Sequence, residues 1–209
     1  MRWLITLMFC TTLARAEGEP AGVFDYYVLS LSWSPTFCAL EGAARDNPQC
    51  DKGREFGWVL HGLWPQYESG WPSYCLSSAR NPTRSETAEM ADIMGSSGSA
   101  WHQWNKHGRC TGLSSDDYYA LSRLAYSRVN RPEALRNLDR TVTLPARIIE
   151  EAFLKANPDW QPDMLTITCK SGRIQEARLC LTRDLTPRRC GADTVRDCSM
   201  TNAQFDPIR

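Results

Sequence analysis

The chain has 209 residues, 42% of them hydrophobic and 23% charged, with 24 lysines and arginines against 24 aspartates and glutamates. That is the make-up of one folded domain with a sizeable core. A formal net charge of zero excludes a protein that grips nucleic acid through a broad basic surface, so any polyanionic ligand must be held by a local pocket.

In chain order, the N-terminus stands apart. Arg2 precedes a short apolar run, residues 3–13, and Ala14-Arg15-Ala16 is a small-x-small cleavage sequence. Residues 1–16 are expected to be a secretory signal peptide, too short to span a bilayer. Cys10 has no lipid-attachment pattern before it and is expected to leave with the signal, so no membrane anchor is expected. Cleavage also removes Arg2 and Arg15, leaving residues 17–209 slightly acidic, with the cysteines Cys38, Cys50, Cys75, Cys110, Cys169, Cys180, Cys190 and Cys198. An exported chain with an even number of cysteines is expected to pair them as disulfides in an oxidising compartment. No C-x-x-C pair points to zinc instead.

Residues 24–33 are rich in strand formers, and residues 56–60 read as a buried strand with His61 at its end. Residues 66–83 are expected to be a long loop. Residues 85–94 predict a helix stopped by Gly95. Ser99 is placed to cap a second helix that runs through Lys106 and ends at Gly108. A third begins near Ser115, with Asp116 and Asp117 in its first turn. A fourth begins at Pro145, with Ile148, Ile149, Phe153 and Leu154 on one face. Leu165–Lys170 and Arg173–Leu181 predict a hairpin around Ser171-Gly172. No repeat or long linker divides the chain. Strands at both ends with helices between predict a single α+β domain.

All three histidines lie in two tryptophan-rich motifs. The first is Trp58-Val59-Leu60-His61-Gly62-Leu63-Trp64-Pro65-Gln66. The second is Trp101-His102-Gln103-Trp104-Asn105-Lys106-His107-Gly108-Arg109-Cys110. Histidine is the side chain that titrates in the physiological range. On a helix, His102, Gln103, Lys106 and His107 share one face, and Trp101 and Trp104 fall elsewhere, where they are expected to anchor the helix to the core. His61 could face that group. Two imidazoles suit a general base and a general acid. A lysine neutralises charge on a phosphoryl oxygen, and Trp64 and Trp71 offer flat surfaces for a base. Taken singly, each residue fits a structural role; it is their coincidence in two motifs that points to a site. The i, i+5 spacing of His102 and His107 is poor for two ligands of one zinc, although a zinc hydrolase remains an alternative. Other hydrolase and nucleotide-binding signatures are absent.

The segments His61-Gly62-Leu63-Trp64-Pro65 and His102-Gln103-Trp104-Asn105-Lys106-His107-Gly108 resemble the two signature segments of the ribonuclease T2 family, over most of the mature chain. One position departs: Gln103 stands where the family usually has glutamate. The resemblance implies an α+β fold with a central antiparallel sheet packed with helices. It implies an exported, secreted or periplasmic endoribonuclease, monomeric and without metal or cofactor. Such an enzyme cleaves single-stranded RNA through 2′-hydroxyl attack and leaves 2′,3′-cyclic phosphate ends. DNA, lacking that hydroxyl, is not cleaved. Carried over, His107 is the base, His61 the acid, Lys106 the phosphorane stabiliser and His102 a phosphate holder. Trp64, Gln66 and Trp71 form a base subsite. Gln103 takes the place of the glutamate that polarises the phosphate or relays a proton; an amide hydrogen-bonds but does not ionise. The resemblance also implies the pairs Cys75–Cys110, Cys169–Cys198 and Cys180–Cys190, leaving Cys38 for Cys50. A catalytically weak member that binds RNA or a protein partner is the alternative that Gln103 suggests.

Overall fold

The computed structural model describes residues 18–208; the expected signal peptide, residues 1–16, lies outside them. Strand β1 (Tyr26–Trp33) is the middle of the functional part of the sheet. It pairs antiparallel with β2 (Trp58–Gln66) on one side and β5 (Arg173–Leu181) on the other. Its alternation sets the two faces. Tyr27, Leu29, Leu31 and Trp33 enter the main core, whereas Val28 and Ser32 line cavities on the opposite face. Successive strand side chains point to opposite faces, so this pattern is the strand period itself.

The hairpin of β4 (Leu165–Lys170) and β5 forms as expected, on the far side of β5 from β1. Two three-residue strands, β3 (Val142–Leu144) and β6 (Ala203–Phe205), were not legible, being too short to show a period. They pair antiparallel, and β6 meets β5 in parallel at Arg173–Gln204. The sheet is therefore mixed at this corner rather than wholly antiparallel.

Among the described residues six α-helices cover the core: α1 (Ser34–Phe37), α2 (Arg84–Glu89), α3 (Ala91–Met94), α4 (Ser97–Lys106), α5 (Ser115–Arg128) and α6 (Ala146–Ala156). The helix expected over 85–94 is split at Met90, and Gly95 ends it at φ 79°. The cap of α4 is Ser96, not Ser99: the Ser96 hydroxyl accepts from the Ser99 backbone N–H at 3.1 Å. Three tyrosines tie helix to sheet and helix to helix. The Tyr118 hydroxyl donates to the Leu63 carbonyl, Tyr126 to Trp58 and Tyr119 to Ala100. Trp104 is fully buried and anchors α4, but Trp101 is 43% exposed and does not. Among the described residues no helix is long and apolar enough to cross a membrane.

Strand β2 does not stop at Leu60. It continues through the first motif to Gln66, because Pro65 sits on the sheet edge, where a missing N–H is tolerated. The register slips once: Ser30 pairs with Gly62 and Leu31 with Leu60, leaving His61 as the extra residue of a bulge. Before the bulge, Trp58 and Leu60 face the core; after it, Leu63 does. The bulge thus turns Trp64 and Gln66 onto the same face as His61, where all three line one cavity.

Among the described residues four disulfides form, Cys38–Cys50, Cys75–Cys110, Cys169–Cys198 and Cys180–Cys190, the pairs implied by the family resemblance. Cys75–Cys110 holds the loop after β2 against the end of α4. Beside it the Tyr74 backbone N–H donates to the Lys106 carbonyl at 2.9 Å. Removing the bridge with Cys75→Ala/Cys110→Ala should cost about 2–5 kcal/mol, the usual range for a native disulfide. Urea unfolding checks this; an unchanged midpoint would show that the bridge adds nothing.

Candidate active site

One cavity of about 350 Å³ opens on the face of the sheet away from the main core. His61, Trp64 and Gln66 reach it from β2, and His102, Gln103, Lys106 and His107 from α4 and its end. Trp71 enters from the following loop. The seven residues expected from the motifs therefore meet, together with Trp71. A second cavity, of about 450 Å³, adjoins the first at His61, His102 and Gln103 and extends past Ser32, Phe37 and Lys170.

Trp64 is the centre of the arrangement. Its ring stacks on His107 at 5.2 Å and meets His61 edge-on at 5.1 Å. The Arg178 guanidinium lies over it at 5.4 Å. Its Nε1 donates to Gln103 Oε1 at 2.7 Å. Gly62 lies directly beneath that hydrogen bond. A Cβ there would overlap both Trp64 Nε1 and Gln103 Oε1, which is why this place in the first motif requires glycine.

Two residues that line the cavity were missed in the sequence, Glu176 and Arg178 on β5. Glu176 Oε1 accepts from His61 Nδ1 at 2.5 Å. Its other oxygen accepts from Arg178 Nε at 2.9 Å and pairs with Nη2 at 2.7 Å. Glu176 is only 2% exposed. An acid inside a strand that is otherwise mostly apolar, with arginine two places on, was the available signal. His107, by contrast, has a buried Nδ1 with no partner among the described residues; stacking on Trp64 holds its ring.

The charges follow from these surroundings. Burial, then the neighbouring Lys106, His61 and His102, push the His107 pKa down to about 3. Burial, then Lys106 and His61, also lower His102. For Glu176, burial raises the pKa, but the His61 hydrogen bond and the His61 and Arg178 charges outweigh it and bring it down to about 2. These shifts fix a stability trend. Between pH 6.5 and about 3 the unfolded chain protonates a histidine that folding keeps neutral at His107. Between pH 4.5 and about 2 it protonates a carboxyl that folding keeps ionised at Glu176. In both windows the unfolded state binds more protons, so stability falls as pH falls. The thermal midpoint should drop on acidification below pH 6.5, and less steeply in His107→Gln. Equal slopes for the two proteins would refute the burial argument.

At the base-subsite end, the Gln66 amide donates back to the Pro65 carbonyl at 2.9 Å. Trp71 is 57% exposed. Its loop is strapped down by the C-terminal segment: Gly70 N–H donates to Asp193 at 2.5 Å, and Arg188 grips Glu68 at 2.8 and 3.0 Å. Among the described residues no group of three or more His, Cys, Asp or Glu side chains is placed to hold a metal ion.

The elements define a class: an α+β protein with two imidazoles and a lysine gathered round one tryptophan at the face of the sheet. Residues 24–190 match the ribonuclease T2 family, and the chain belongs to that family. A ribonuclease of Aeromonas hydrophila is 46% identical over 112 residues, which are 54% of this chain and 49% of that protein. Extracellular ribonuclease LE of Solanum lycopersicum is 24% identical over 144 residues, 63% of this chain and 60% of that protein. The chain spans about half the length of the first curated relatives it matches. RNase NT, solved with 5′-AMP, superposes with a TM-score of 0.67 at 21% identity, over 89% of this chain and 100% of that one. An RNase-related protein from Calystegia sepium gives 0.64 at 20% identity, over 88% and 96%. At these identities the superpositions show a shared fold.

Proposed function

We propose that the protein is an exported, monomeric endoribonuclease that cleaves single-stranded RNA without metal or cofactor and leaves DNA intact. The observation that carries this reading is the packing of His61 and His107 against the same Trp64 ring, with Lys106 beside them in one cavity. The two rings have opposite surroundings. A carboxylate stands behind His61, while Lys106 and the other imidazoles surround His107. Environments that differ in this way separate an acid from a base.

His107, neutral, takes the proton of the ribose 2′-hydroxyl. The 2′-oxygen attacks the adjacent phosphorus, the bond from phosphorus to the 5′-oxygen breaks, and His61 gives that oxygen its proton. The product is a 2′,3′-cyclic phosphate and a free 5′-hydroxyl. Lys106, His102 and Gln103 bind the non-bridging oxygens, where negative charge accumulates. Trp64 and Gln66 wall the base subsite, and Trp71 offers the free aromatic face. The adjoining cavity gives the nucleotide after the scissile bond a place to lie. Four disulfides and the leader expected at residues 1–16 support export, secreted or periplasmic.

The test is incubation of the mature protein with RNA, and separately with DNA, in excess chelator. RNA should be degraded to ends bearing cyclic phosphate, with DNA unchanged. Activity lost to chelator and restored by zinc would favour a zinc hydrolase. RNA binding with no cleavage would favour a catalytically weak member.

A further inference from the structure

We infer that Glu176, clamped by Arg178, is the positioning residue of the general acid: it fixes the His61 ring so that Nε2 faces the leaving 5′-oxygen. The inference rests on the acid role proposed for His61. Its basis is how three strands lie side by side. Glu176 is on β5 and His61 on β2, with β1 between them. Neighbouring strands are about 4.8 Å apart, so the two backbones are separated by about 10 Å. The side chains close that gap over β1, which presents Ser32 opposite Glu176 and Ser30 opposite both Arg178 and Gly62. Small residues on the middle strand and long ones on its neighbours make the contact possible. Aspartate, one methylene shorter, falls short of it.

The carboxylate accepts and does not donate, so at 2.5 Å it requires the hydrogen to be on His61 Nδ1. Nε2 is then the ring nitrogen left for the substrate. Arg178 occupies the other oxygen through two nitrogens. That stops the carboxylate from turning away from His61 and keeps it charged. Stability alone gives little reason for such a group: a buried ion pair is commonly no better than well-packed apolar residues. Its use is to orient the ring, much as carboxylates behind metal-binding histidines do. Among the described residues His107 Nδ1 has no such partner. The ring that must deliver a proton to a defined atom is the one held by a carboxylate.

The test compares two substrates. One is a dinucleoside monophosphate, whose leaving 5′-alkoxide needs a proton. The other is a nucleoside 3′-(4-nitrophenyl phosphate), whose nitrophenolate leaves without one. Glu176→Gln should lower kcat on the dinucleotide by about 10–100-fold with little change in KM, and leave the aryl ester near the wild-type rate. Glu176→Asp should behave in the same way although it keeps the charge. His61→Ala, as reference, should show the same split with a larger loss. If Glu176→Gln slows both esters equally while His61→Ala spares the aryl ester, Glu176 does not act through the acid and the inference fails. Unchanged kcat on both esters also overturns it. If His61→Ala itself slows both equally, the acid assignment falls, and this inference with it. Should Glu176→Gln not fold, the wild type still answers. A far-downfield ring N–H resonance that His61→Ala abolishes supports the contact, and its absence from the wild-type spectrum overturns it.

Discussion

His107→Ala is expected to lower RNA cleavage by about 10²–10⁴-fold, and His61→Ala by a similar factor, the usual worth of a general base or acid. The two losses should not multiply. Both protons move in one displacement, and residues that act as a unit are strongly non-additive, so the double variant should be little slower than the worse single one. The two variants should differ in stability. His107 is 5% exposed and stacked on Trp64, so its removal also opens a hole beside that ring. His61 is half-buried, and its loss leaves the Glu176 carboxylate to Arg178 alone. Turnover must therefore be measured well below each variant's melting temperature. Near-wild-type activity in either folded variant would show that the acid and base are misassigned.

Gln103→Glu is expected to reduce turnover at neutral pH by about 10²–10³-fold, the scale of losing one preorganised donor to a transition-state oxygen. The orientation of Gln103 is settled by its partner. An indole N–H only donates, so the atom facing Trp64 Nε1 must be the amide oxygen. The amide nitrogen is then left to donate into the cavities that Gln103 lines. In glutamate, one oxygen would still accept from Trp64, while the other would turn a negative charge toward the phosphate. Protonation of that carboxyl restores a donor, so the loss should shrink as the solution is made acidic. Gln103→Leu should show a loss that does not recover in acid. A variant faster than the wild type at neutral pH would mean that the amide does not donate to the phosphate.

The parts of the molecule legible in the sequence were those with local signals. The β4–β5 hairpin, α5 and α6 follow from turn residues, caps and apolar periodicity. The eight residues of the site came from two motifs and their family likeness, and all eight line one cavity. What was illegible depends on register or on contacts far apart in the chain. The strand was expected to end at Leu60, yet it runs on through Gly62, which lies under a side-chain hydrogen bond, and Pro65, which lies on a sheet edge. Trp101 and Trp104 look alike in sequence, but only Trp104 packs inward, against Tyr118. Glu176 is 115 residues from His61, and nothing local to either shows that they meet.

The extra residue at His61 makes the site sensitive to chain length. Each half of β2 obeys the two-residue period, but the halves are out of phase, and the bulge joins them. Losing one residue between Leu60 and Leu63 would bring them into phase. Leu63 would stay on the core and Trp64 and Gln66 on the cleft, but the bulge that sets His61 and Gly62 in the site would be gone. A single in-frame codon deletion there should therefore cost more in activity than in stability. Insertions and deletions arising among descendants of this protein should survive in the loop after Gln66 and be eliminated from the residues just before it.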